Sequence, residues 1–160
     1  FSSGQYIRER SDLLPEEARI IALEHHERLD GSGYPGGLKG DEIHPYAQIA
    51  AVADMYDALT TVRCYRQSMS NHKAYKIITE DAAAGKLNKH YVDCLFHHVA
   101  VYPNGIIVHL SDGTHGIVKQ QNPGQPFRPI VRIIDDTHGK DNVSLYDLDL
   151  SEREDLFIKE

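Results

Sequence analysis

His25 and His26 stand side by side, and the chain runs from them into "DGSGYPGG", which contains Gly31, Gly33, Gly36 and Gly37 with Tyr34 and Pro35. Neutral imidazoles are ligands for transition metals. Within a helix, adjacent residues point about 100° apart, so this pair is expected to serve two neighbouring ions more readily than one. A glycine-dense loop exposes backbone N–H groups and admits a phosphate-bearing ligand. Tyr34 adds a flat face and a hydroxyl, and Pro35 stiffens the turn. Asp54, set among Ala50, Ala51, Ala53 and Ala58, has room to bring a carboxylate to the same place. Arg63 and Arg66 follow, and a guanidinium can hold a phosphate bidentately. Each feature alone has a plainer reading: half-buried imidazoles, a surface loop, solvated charges. The second pair, His97-His98, keeps that reading, because neither a glycine loop nor a carboxylate pattern accompanies it and a helix C-terminus favours a partly cationic histidine.

These groups need helices to carry them. Residues 15–30 read as the first, with Pro15 in its first turn and Glu16 and Glu17 at the positive end of its dipole. Residues 31–43 are loop. A second helix over about 45–62 presents Ile49, Val52, Ala53, Tyr56 and Leu59 as its expected core face, with Asp54, Asp57 and Thr61 on the neighbouring face. Ser70 caps a third helix ending near Gly85, and Asn88 a fourth reaching roughly Ala100. Beyond "VYPNG" the pattern turns to β: "IIVHLSDGTHGIVKQ" places β-branched runs around an Asp112-Gly113 turn, and "RPIVRII" and "NVSLYDL" supply two more strands. The expected organisation is therefore mainly α, a helical part over 1–100 followed by a small antiparallel β subdomain over 101–160.

Composition narrows the class. The 160 residues are 41% hydrophobic and 26% charged with a formal net charge of −7. That charge argues against general binding of a nucleic-acid polymer, which needs a basic surface. The sequence contains neither a membrane-spanning run nor a secretory signal. Cys64 and Cys94 fit no zinc spacing and no disulfide framework. A reducing, cytoplasmic setting is expected.

The stretch "HHERLDGSGYPGGLKGDEI…AQIAAVADMYDALTTVRCYR" closely resembles the second half of HD-GYP domains, a bacterial subgroup of the HD metal-dependent phosphohydrolases, over about residues 18–100. The resemblance implies a helical bundle holding two or three iron or manganese ions and hydrolysing the second messenger cyclic di-GMP in signal transduction. It implies that His25, His26 and Asp54 are metal ligands and that Tyr34, Arg63 and Arg66 contact substrate. Asp30, Gly31, Gly33, Tyr34 and Pro35 correspond to the GYP loop, a possible docking site for a diguanylate cyclase domain. The β part resembles a small segment found after some of these domains.

The family's His-Asp dyad has no counterpart, since the chain contains no His-Asp dipeptide. Three donors cannot complete a two-metal site. The chain is therefore expected to be part of a longer enzyme, inactive alone, with pGpG or GMP as the parent's product. The alternative is a non-catalytic nucleotide-binding or protein-interaction module derived from such a domain.

Overall fold

The computed structural model describes residues 14–62, 69–135 and 144–159. Among them are helices α1 (Glu16–Glu24), α2 (Pro45–Thr60), α3 (Asn71–Ala83) and α4 (Lys89–His98), then strands β1 (Ile107–His109), β2 (His115–Gln120), β3 (Ile130–Asp135) and β4 (Ser144–Asp149). The order of helices followed by a small antiparallel sheet is the expected fold class. The chain divides into two compact units, Phe1–Leu95 and Phe96–Glu160. None of the described helices is long and apolar enough to cross a membrane.

In the first unit α1 packs on α2 and α2 on α3. Helix α1 begins as expected, with Glu16 and Glu17 in its first turn, but stops at Glu24 instead of running to Asp30. Its end is set by tertiary contacts, because the chain doubles back and the residues after His26 bond to the loop. Helix α2 opens on Pro45, and the His44 Nδ1 accepts the Tyr46 N–H at 3.2 Å. Its buried side is Ala47, Ala51 and Val52. The expected core face is thus corrected, for Ile49 is 47% exposed and Ala53 is also exposed. Small residues at i and i+4 let two neighbouring helices approach closely, so alanines rather than the larger Ile49 mark the packed side. Ala74 and Ile78 of α3 are fully buried, with Ile43, Leu87 and Val92 completing the apolar interior.

The Ser70 Oγ accepts the Lys73 N–H at the start of α3, and Gly85, at φ +78°, follows its end. The Asn88 Oδ1 accepts the His90 N–H at 3.0 Å where α4 begins. In the second unit the strands form a four-stranded antiparallel meander in chain order. The β1–β2 hairpin turns through Gly113, at φ +96°. Alternation puts Val108, Val118, Val131 and Ile133 on the covered face, with Leu110, Leu150, Leu156 and Ile158 beside them. Each large apolar side chain so buried contributes about 1.5–3 kcal/mol.

Candidate metal centre

His25 and His26 follow directly on α1. Both lie beyond the helix, and their rings sit 4.0 Å apart at centroid with planes tilted by 39°. One ligand atom from each of His25, His26 and Asp54 lies within 4.8 Å of the other two, close enough for the three to meet at one ion. Asp54 comes from the third turn of α2, where it is exposed, while both imidazoles are half-buried. The Glu24 Oε2 accepts the His44 N–H at 2.9 Å, which ties the end of α1 to the start of the helix that carries Asp54.

The donors suit a first-row divalent ion. The His25 Nδ1 lies 2.8 Å from the Ile21 carbonyl oxygen. A carbonyl can only accept, so Nδ1 carries the proton and the Nε2 lone pair is left for a ligand bond. Burial, then the adjacent His25, hold the His26 imidazole below its ordinary pKa, against an opposing pull from Asp54. The neutral, ligand-competent form is thereby favoured. Two imidazoles and a carboxylate suit such an ion.

The loop is less open to an anion than its glycines imply. The Gly31 N–H donates to the Arg28 carbonyl, Tyr34 to His26 and Gly40 to Leu29. Gly36 and Leu38 donate to the Glu27 carboxylate, Lys39 to Glu42 and Ser32 to Asp30. These N–H groups are engaged by acceptors within the loop and its flanks. Gly33 serves close packing within the loop: a Cβ there would lie 2.4 Å from the backbone of Glu27 and Arg28. Asp30 is an exposed turn residue whose carboxylate also accepts the Ser32 hydroxyl, and that pair of bonds lowers its pKa. Tyr34 is 61% exposed, its ring 4.7 Å from that of His26, and the Tyr34–Pro35 peptide is cis. The Leu29 N–H reaches the Lys86 carbonyl and pins the loop to the turn after α3.

Arg63 and Arg66 lie outside the described residues. His97 and His98 belong to the second unit, where they line a cleft of about 220 Å³ with Gln121 and Asn122. Sequence reasoning missed Glu27, which is 2% exposed. Its only signal was an acid immediately after two histidines, and its hydrogen-bond partners, nine and eleven residues away, were invisible.

The family model described as HD domain matches residues 5–89. A second, described as KOW domain associated with HD domain, matches residues 107–160. The chain belongs to the HD-domain family and carries its HD-GYP signature. It is 34% identical over 117 residues to a cyclic di-GMP phosphodiesterase of Pseudomonas aeruginosa, an alignment covering 71% of this chain and 27% of that protein. It is 42% identical over 78 residues to 3'3'-cGAMP-specific phosphodiesterase 1 of Vibrio cholerae, covering 49% and 18%. With a cyclic di-GMP phosphodiesterase of Thermotoga maritima it shares 48% over 67 residues, covering 42% and 18%. The chain thus spans about a quarter or less of the length of these relatives.

Proposed function

We propose that this chain supplies part of the metal centre and the substrate loop of a metal-dependent phosphodiesterase that hydrolyses cyclic di-GMP. The observation that carries the reading is the convergence of His25, His26 and Asp54 within 4.8 Å, beside the exposed ring of Tyr34. The names of the relatives supply the substrate class.

Iron or manganese held there would withdraw charge from the phosphoryl group and activate water for attack. The residues of this chain have separable tasks. Ile21 orients His25 through Nδ1, burial keeps His26 neutral, and Asp54 adds the anionic donor. Tyr34 offers its face to a guanine base. Arg63 and Arg66 are assigned to the phosphate, which a guanidinium can hold bidentately. Attack by water forms a new P–O bond as the bond from phosphorus to the ribose 3′ oxygen breaks, giving linear pGpG. A second cleavage gives GMP. A cytoplasmic setting follows from the substrate, and the exposed loop is also the surface assigned to a diguanylate cyclase domain.

A second substrate has an observation in its favour, the identity shared with a 3'3'-cGAMP-specific enzyme. The test gives the full-length protein, loaded with Mn or Fe(II), both cyclic dinucleotides and compares turnover. Faster hydrolysis of cyclic di-GMP supports the proposal, preference for 3'3'-cGAMP moves the assignment to the second substrate, and turnover of neither overturns it. The isolated 160-residue chain should turn over neither, since its three assigned ligands cannot complete a two-metal site.

A further inference from the structure

We infer that Glu27 is a positioning residue for Tyr34: its buried carboxylate is the peg around which the glycine-tyrosine-proline loop is wound. The inference rests on the functional reading above for its consequence, and on geometry alone for its cause.

Glu27 is the one buried charged residue among those described, at 2% exposure. Its Oε1 accepts the Gly36 N–H at 2.5 Å and its Oε2 the Leu38 N–H at 3.1 Å. Its own backbone is met from the other side by Gly33, where a Cβ would come within 2.4 Å. The loop therefore touches Glu27 before and after Tyr34, through Gly33 on one flank and Gly36 and Leu38 on the other. Between these anchors the Tyr34 N–H donates to the His26 carbonyl at 3.3 Å, and the ring stands against the His26 imidazole. At 61% exposure the tyrosine has little side-chain packing to hold it. Its position is set by the backbone anchors.

The chemistry needs a carboxylate. Both oxygens accept from N–H donors, and both donors are backbone groups that would otherwise lie unpaired. A glutamine would turn an amide NH₂ toward one of them, and an aspartate is one methylene too short to reach both. Loss of one such bond frees the loop and moves Tyr34 off His26, which should weaken substrate binding while leaving His25, His26 and Asp54 where they are.

The test uses the full-length, metal-loaded protein and Glu27→Gln, Tyr34→Ala and the double variant, with Glu27→Asp in reserve should the glutamine variant fail to fold. Glu27→Gln should raise KM for cyclic di-GMP about tenfold with a smaller change in kcat and full metal content. Amide exchange over residues 33–38 should quicken. In the Tyr34→Ala background Glu27→Gln should have little further effect on KM, because the two act through one contact. Additive effects on KM, metal loss in the glutamine variant, or unchanged exchange over 33–38 would each overturn the inference. The exchange measurement needs no turnover, so it reads the peg even if the wild-type protein proves inactive on cyclic di-GMP.

Discussion

The rings of His26 and Tyr34 face one another with centroids 4.7 Å apart and planes tilted by 34°. A half-buried imidazole assigned to metal and an exposed phenol assigned to substrate are thus in van der Waals contact. Tyr34→Phe keeps that contact and removes only the hydroxyl. If the hydroxyl bonds a phosphate oxygen, cyclic di-GMP binding to the full-length protein should weaken by about 1.5–3 kcal/mol. A ring that acts only as a platform for a base should lose much less. Calorimetric titration of wild type and variant, each checked for metal content, measures the difference.

The metal assignment predicts a linked loss. In the full-length protein, His26→Ala or Asp54→Ala should lower bound iron or manganese and phosphodiesterase activity together, since each removes a donor from the converging group. His97→Ala and His98→Ala, in the second unit, should retain both. Elemental analysis beside turnover decides, and a full metal complement in the Asp54 variant would remove that residue from the ligand set.

Gly33→Ala should be the most damaging alanine substitution in the loop. Its Cβ would meet backbone atoms of Glu27 and Arg28, which cannot swing aside as a side chain can. Overpacking of this kind costs about 1–3 kcal/mol. Gly36→Ala, whose Cβ would come 3.2 Å from the Glu27 Oε1, should cost less because a side-chain atom can yield. Thermal or denaturant unfolding of the two variants should show that order.

Acid should weaken the second unit through Asp147. Hydrogen bonds from Arg132 and then Lys119 lower its pKa from 3.8 to about 2. A carboxylate with a depressed folded-state pKa contributes stability above its unfolded value, and that contribution is lost as pH falls from about 4 toward 2. Asp147→Asn should therefore lower stability at neutral pH and flatten the acid limb between those values. The group is exposed, so added salt should shrink the difference. Unfolding followed from pH 7 to 2, with and without salt, tests both points.

Residue chemistry and chain punctuation were legible without coordinates. The caps at Ser70 and Asn88, the end of α3 before Gly85, the Asp112-Gly113 turn and the strands after it all depend on neighbours a few residues away. Local hydrogen bonding and backbone freedom determine such features. Grouping His25, His26 and Asp54 was legible for a related reason, since few other roles use those types beside such a loop. The tertiary structure decided the rest. It ended α1 at Glu24, with the loop after it folded back on Glu27, and set His25 and His26 beside Asp54 of α2. It chose Ala47, Ala51 and Val52 as the packed side of α2, because close helix approach favours small residues and that preference outweighed hydrophobicity at Ile49. It also paired the N–H groups of Tyr34, Gly36 and Leu38 with a carbonyl and a carboxylate that lie near them only in the folded chain. A buried acid gathering backbone donors nine and eleven residues along has no periodicity to reveal it, and Glu27 became visible only in three dimensions.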